Sequence, residues 1–331
     1  MSEPETERET ALGSAPGDAQ EMRGPDAASA RPAWMTHAAL LVVQVSFASQ
    51  AVEAKVAMAP RALGGEAISP EALAMVRMIA GALFFHLFVA ARKSRTPTTL
   101  RDQAHLILLS VLGISLNQAL FLAGLRLTKP FAGALLAGTI PVFAAALSVL
   151  FRREPFRVRT VLGLMLSVGG VLFLTGLVAI DRGALLVAIN CLAYAGYLVF
   201  SRGIIQRLGA LTVMCWVFTW GALLFSPLGL GAAIHEVPNF TSRGAMFVSY
   251  IVLVPTILAY TLNAWALGRS SATLVTIYIY LQPLLAALLA WVQLGQGLTL
   301  RMVGASALIF CGVAVVVSRQ AAAPIGSTSE P

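Results

Sequence analysis

Charged side chains are scarce: Asp, Glu, Lys and Arg make up 11% of the 331 residues, whereas soluble domains carry about a quarter. Long stretches hold no charge at all. A soluble protein of amphipathic helices needs a charged face on most of them, and those faces are missing. Histidine is thin too. His37, His86, His105 and His235 are scattered, Asp102 and Asp181 stand in turns, and no His-Glu-x-x-His, paired-aspartate or Walker A pattern occurs. A membrane-embedded enzyme therefore has no constellation to work with, and ATP drive within this chain has no phosphate loop. Cys191, Cys215 and Cys311 are too widely spaced for a zinc motif and read as small apolar residues. Neither a metal nor a cofactor is called for. No basic, aromatic-interleaved soluble module is present either, which argues against nucleic acid as a partner.

What is abundant is apolar sequence: 58% of residues, with a mean hydropathy of +0.80. Ten stretches are long enough to be membrane spans, each needing roughly 20 apolar residues to cross the hydrocarbon. They cover 37–58, 71–91, 105–125, 131–151, 158–177, 183–204, 211–232, 244–267, 273–294 and 302–317. The connections are short, so consecutive helices should be antiparallel neighbours, and none could hold a soluble catalytic domain. The first 33 residues differ. Seven acidic residues stand there against Arg8, Arg23 and Arg31, with no apolar run of a signal peptide, which predicts a disordered tail. Residues 320–331 form a second, short tail.

The tail's net −4 against a total of +8 leaves the remainder strongly basic, a bias that fits membrane topology. With the N-terminus in the cytoplasm, inside segments hold fifteen Lys and Arg and outside segments seven. The basic turns around Lys93 and Arg153 dominate that count. The positive-inside rule then places both termini in the cytoplasm of a multi-pass protein of the cytoplasmic membrane.

The chain also contains one stretch twice. Shifted by 142 residues, Leu120 meets Leu262, Leu125 meets Leu267, Pro141 meets Pro283, Arg159 meets Arg301, Val161 meets Val303 and Gly170 meets Gly312. Each copy runs from an apolar helix through a polar break to a proline-bearing segment, a turn and a glycine-dotted segment. Such an internal repeat in so apolar a chain suggests a transporter built from two related halves, 34–180 and 181–319.

These residues resemble the drug/metabolite transporter superfamily and its EamA-type domain. In the first copy the pattern is carried by residues 119–125, Ala134, Pro141, Leu150, Glu154 and the glycines from Gly163 to Gly170. In the second it is carried by residues 262–267, Ala272, Pro283, Leu294, Gly295, Leu298, Thr299, Gly304 and Gly312. The family commonly ends its proline helix with Gly-Glu; here the first copy has Arg153–Glu154 and the second Gly295–Gln296. The resemblance implies an all-α integral membrane protein of ten transmembrane helices in two inverted five-helix repeats, around a central cavity. It implies a secondary transporter, exporting a small organic metabolite such as an amino acid or drug-like solute. A membrane-embedded enzyme and a non-transporting scaffold or receptor are the competing classes. Monomer and homodimer both fit.

Polar residues within the spans fall on faces. Ser46, Ser49, Gln50 and Glu53 make one stripe in the first span, and Asn190, Tyr194, Tyr197 and Ser201 another in the sixth. Asn117, Gln118, Tyr260, Asn263, Thr276, Tyr280 and Gln282 add to the set. Lipid penalises such groups, so the stripes face either a wet cavity or neighbouring helices. The tyrosines suit a flat or amphipathic organic solute better than a bare ion. Pro141 and Pro283 predict matched helix kinks, static or serving as a gating bend in each half. Finally, Glu53 and Arg77 lie at similar depth in adjacent spans, and neither ionises cheaply alone. They are expected to pair, directly or through Lys55 and Gln50, either as a static bridge that orients the two helices or with Glu53 as a proton-coupling site.

Overall fold

The computed structural model describes residues 33–92, 96–127, 136–152, 158–175, 182–270, 272–294 and 299–317. Nearly all of both expected tails, and with them Ala134, Glu154, Gly295, Gln296 and Leu298, lies outside the described residues. All regular structure among the described residues is helical. Six helices are long and apolar enough to cross a bilayer. They are α1 (Ala33–Met58), α2 (Pro70–Ala91), α3 (Leu100–Leu127), α6 (Arg182–Leu208), α7 (Ala210–Glu236) and α8 (Ser242–Arg269). The stretches expected as the other four spans hold shorter or broken helices: α4 (Ile140–Leu150), α5 (Val158–Thr175), α9 (Ala272–Ile277), α10 (Leu281–Leu294) and α11 (Leu300–Val317). Leucines such as Leu87, Leu228 and Leu253 are exposed on the outer surface, as a bundle solvated by lipid requires.

Local chemistry fixes where the helices begin. Ser69 Oγ accepts the backbone N–H of Ala72, with Pro70 in the first turn, and so starts α2. Thr99 and Asp102 form a reciprocal capping box at the head of α3. Thr241 Oγ1 accepts from Gly244 N at 2.9 Å and starts α8. Between α6 and α7 a single residue reverses the chain: Gly209, at φ +82°, a conformation other residues adopt only with strain.

The packing repeats the sequence. Helix α2 lies along α7 and α5 along α11, each helix against its own counterpart. Helix α3 packs on α6 as α8 packs on α1, and α4 packs on α6 as α10 packs on α1. The contact pattern is thus two-fold. Even a fine irregularity recurs. Helix α3 widens into a π-helical stretch at Val111–Ser115, and α8 does so at Leu253–Leu258, again 142 residues on. Pro255 explains the second, since it has no N–H to continue the ladder. The position matching it in α3 is Gly113, onto which the ring of Tyr197 packs so closely that a Cβ there would lie 2.6 Å from its Cγ.

The two prolines of the sequence repeat each follow a break in helical winding. Pro141 occupies the first turn of α4, after a break at Gly138 and Thr139. Pro283 is the third residue of α10, directly after the tight 3₁₀ turn Tyr278–Tyr280. Each stands in the first turn of the segment that follows the break, where a missing N–H is best tolerated.

Candidate functional site

Between the two halves lies a cavity lined by side chains of both. Helices α1, α3 and α4 of the first half and α6, α8 and α10 of the second all contribute to its wall. Seven expected residues line it: Gln50, Asn117, Gln118, Asn190, Tyr194, Tyr260 and Gln282. Its apolar wall is Phe47, Ala51, Phe121, Ala137, Ile140, Val187 and Cys191. No Lys, Arg, Asp or Glu is among the described lining residues.

The polar wall is tied together across the halves. Gln118 Nε2 donates to Tyr260 Oη at 2.8 Å, and Asn190 Nδ2 donates to the backbone oxygen of Asn117 at 2.7 Å. Gln282 Nε2 donates to Gln44 Oε1 at 2.6 Å, joining α10 to α1. The Tyr260 ring is held edge-on between Phe47 and Phe218. Gln118 and Tyr260 are themselves related by the 142-residue shift. Two equivalent groups can touch each other only near the symmetry axis relating them, so the axis passes through the cavity wall.

Five of the expected cavity residues do not line it. Tyr197 stacks on Tyr194 with centroids 5.7 Å apart and backs it from behind. Asn263 donates to Tyr194 Oη at 3.1 Å, which fixes that hydroxyl without reaching the cavity. Ser49 accepts from Tyr250 Oη at 2.8 Å, an α1–α8 contact. Thr276 and Tyr280 are buried in and just after α9.

Arg77 is 1% exposed and bonds Gln50, one of the two expected intermediaries, rather than Glu53 directly. Its guanidinium donates from Nε to Thr256 Oγ1 at 2.7 Å, from Nη2 to Gln50 Oε1 at 3.1 Å and from Nη1 to Gln118 Oε1. One side chain on α2 thus holds α1, α3 and α8 together through neutral acceptors. The correction has a simple cause. Depth along two helices was matched, but the side chain of α2 is turned toward Gln50, one turn short of Glu53. A coupling role for Glu53 acting by release of Arg77 would have to run through Gln50. Thr256 is supplied by the π-helical stretch, where its hydroxyl donates to Ile251 O five residues back at 2.8 Å and leaves its lone pairs to the guanidinium.

Sequence reasoning missed the apolar wall and Thr256. The wall was legible in part, since Phe47, Gln50 and Ala51 share one helical face, as do Val187, Asn190, Cys191 and Tyr194. Thr256 was not, because a π-turn shifts the register on which such counting depends. Pro255 was the available signal.

Apolar helices long enough to cross a membrane, and a cavity lined by both halves, define a multi-helix membrane protein with an internal site. A sequence profile of the EamA-like transporter family matches residues 34–176 and again 181–318. The chain belongs to that family. It is 30% identical over 240 residues to an uncharacterized transporter of Bacillus subtilis (strain 168), YdfC, covering 70% of this chain and 77% of that one. It is 23% identical over 327 residues to the Arabidopsis thaliana protein WALLS ARE THIN 1, covering 85% and 82%. A solved crystal structure superposes with a TM-score of 0.61 at 20% identity, covering 86% of this chain and 96% of its own, which shows a shared fold. The protein is a multi-pass membrane transporter of the EamA family.

Proposed function

We propose that the chain is a secondary active transporter that exports a small organic metabolite by alternating access, its halves 34–180 and 181–319 moving about the shared cavity. The observation that carries this reading is the cavity itself, built by both halves at their two-fold contact. A pocket formed between two similar bodies opens to either side when they rock, which is how inverted-repeat carriers work. An enzymatic role finds less support, since the wall offers amides, phenols and one thiol but no base beside a nucleophile. Purified protein in vesicles is expected to move a labelled solute down an imposed gradient. A single cysteine at Asn190, on a background lacking the native thiols, is expected to react with water-soluble reagents, and the transported solute should protect it. Leu192, on the exposed face of the same helix, should react only with lipid-soluble ones. Equal labelling of both positions would count against the cavity, and vesicles that move no solute in a broad metabolite screen would count against transport.

The positive-inside count supports both termini in the cytoplasm, with the α1–α2 and α7–α8 connections outside. Reporter tags inserted after Gly64 and after Pro238 are expected to read the external side, and tags at either terminus the internal one. Termini on opposite faces would break the reading of two matched halves.

A further inference from the structure

We propose that the cavity selects solutes bearing a carboxylate or a similar single negative charge, with Arg77 as the positioning residue that sets this preference through Gln50 and Gln118. The proposal rests on the transport reading above and adds the substrate class. Arg77 is fully buried and its three bonds go to neutral oxygens, so its charge has no internal counter-ion among them. Burial of an unbalanced charge in a membrane protein is costly and marks function.

The charge also dictates which way the wall faces. A guanidinium has only donors, so both glutamines must turn their amide oxygens to it. Their NH₂ groups then point the other way. The Gln118 NH₂ is taken up by Tyr260 and Asn117. The Gln50 NH₂ has no partner among the described residues, although Gln50 lines the cavity and is only 4% exposed. Tyr194 adds a second donor, since its oxygen accepts from Asn263 and its proton is left for the cavity. Two free donors backed by a buried cation one amide away form a site for an anion, while amide oxygens on Asn190 and Gln282 can serve a second polar group of the solute. No lining carboxylate opposes this.

The test reads the cavity's potential directly. With a single cysteine at Asn190 in the full-length protein in vesicles, the rate of modification by a negatively charged methanethiosulfonate is compared with that of its trimethylammonium counterpart. Each rate is normalised to reaction with a free thiol. The anionic reagent is expected to be favoured about tenfold, as a unit charge one amide away implies at protein-like dielectric. Arg77→Lys should keep the preference and Arg77→Gln should abolish it. Gln118→Glu, which gives Arg77 an internal counter-ion without removing it, should abolish it too and covers the case in which Arg77→Gln fails to fold. A purely architectural arginine would leave the ratio near one in every variant that folds, and that result, or a preference for the cation, would overturn the proposal. Protection by phenylacetate but not phenylacetamide is the matching result with a solute. Anion preference without any flux of solute would sink the transport reading alone; flux of neutral or cationic solutes without anion preference would sink this one alone.

Discussion

Gln118→Leu is expected to destabilise the protein by about 2–4 kcal/mol, and to do so only while Arg77 is present. The leucine removes an acceptor from a buried guanidinium, which then has a donor with neither protein nor water to bond. Arg77→Met, by contrast, removes the charge altogether. The amides it leaves, Gln50 and Gln118, border the cavity and can be solvated there, so stability should stay within about 1 kcal/mol of the parent or rise. The double variant Arg77→Met/Gln118→Leu should then be close to Arg77→Met alone. Equilibrium unfolding of the four proteins from mixed micelles gives the coupling energy directly. An equal cost of Gln118→Leu in both backgrounds would mean that the glutamine's value lies with Tyr260 and not with the arginine. If the charge serves the proposed anion preference, transport should fall in all three variants, including any that keeps or gains stability.

Gly113→Ala is the second large effect. The added methyl would lie 2.6 Å from Tyr197 Cγ, and Tyr197 is 1% exposed with its ring already stacked on Tyr194. The ring has to move toward the cavity, since Tyr194 lines it. Overpacking of this kind costs about 1–3 kcal/mol, and the displaced tyrosines should reduce solute flux at least about tenfold, as misplacement at a binding site does. Tyr197→Leu in the same chain should recover stability by relieving the contact. Gly203→Ala on α6 serves as the control. Nothing lies within 4 Å of its would-be Cβ, so it should be neutral or stabilising by up to about 1 kcal/mol. Similar losses from Gly113→Ala and Gly203→Ala would refute the close-approach argument.

Much of this architecture was written in patterns that do not depend on tertiary detail. The long apolar runs marked α1, α2, α3, α6, α7 and α8, and the 142-residue echo marked the two-fold packing. The polar stripes named the correct faces of α1 and α6, because a helix's register carries a face over several turns. They failed where register or reach decides. Ser49 shares a stripe with Gln50, yet bonds Tyr250, since neighbouring positions on a helix point about 100° apart. Tyr197 shares one with Tyr194 and stands behind it. Arg77 was marked as costly, but its partners were not legible: one of them, Thr256, sits in a stretch that is wound differently, and a guanidinium accepts any nearby oxygen. The winding breaks just before Pro141 and Pro283, but a proline's sequence position does not say on which side of it the helix will break.

The Gln118–Tyr260 contact has a mechanical meaning. When two bodies related by a two-fold axis exchange their tilts, points far from the axis sweep widest and points on it barely travel. Gln118 and Tyr260 sit at that fulcrum, with Arg77 braced against one of them. In the motion proposed above, the ends of α3 and α8 are the lever arms. A solute in the cavity would then rest at the pivot, where its hydrogen bonds need not stretch while the path on one side shuts and the path on the other opens. Such a carrier can hold its cargo with short, rigid, well-aligned contacts and still turn over, because the grip and the swing occur at different radii.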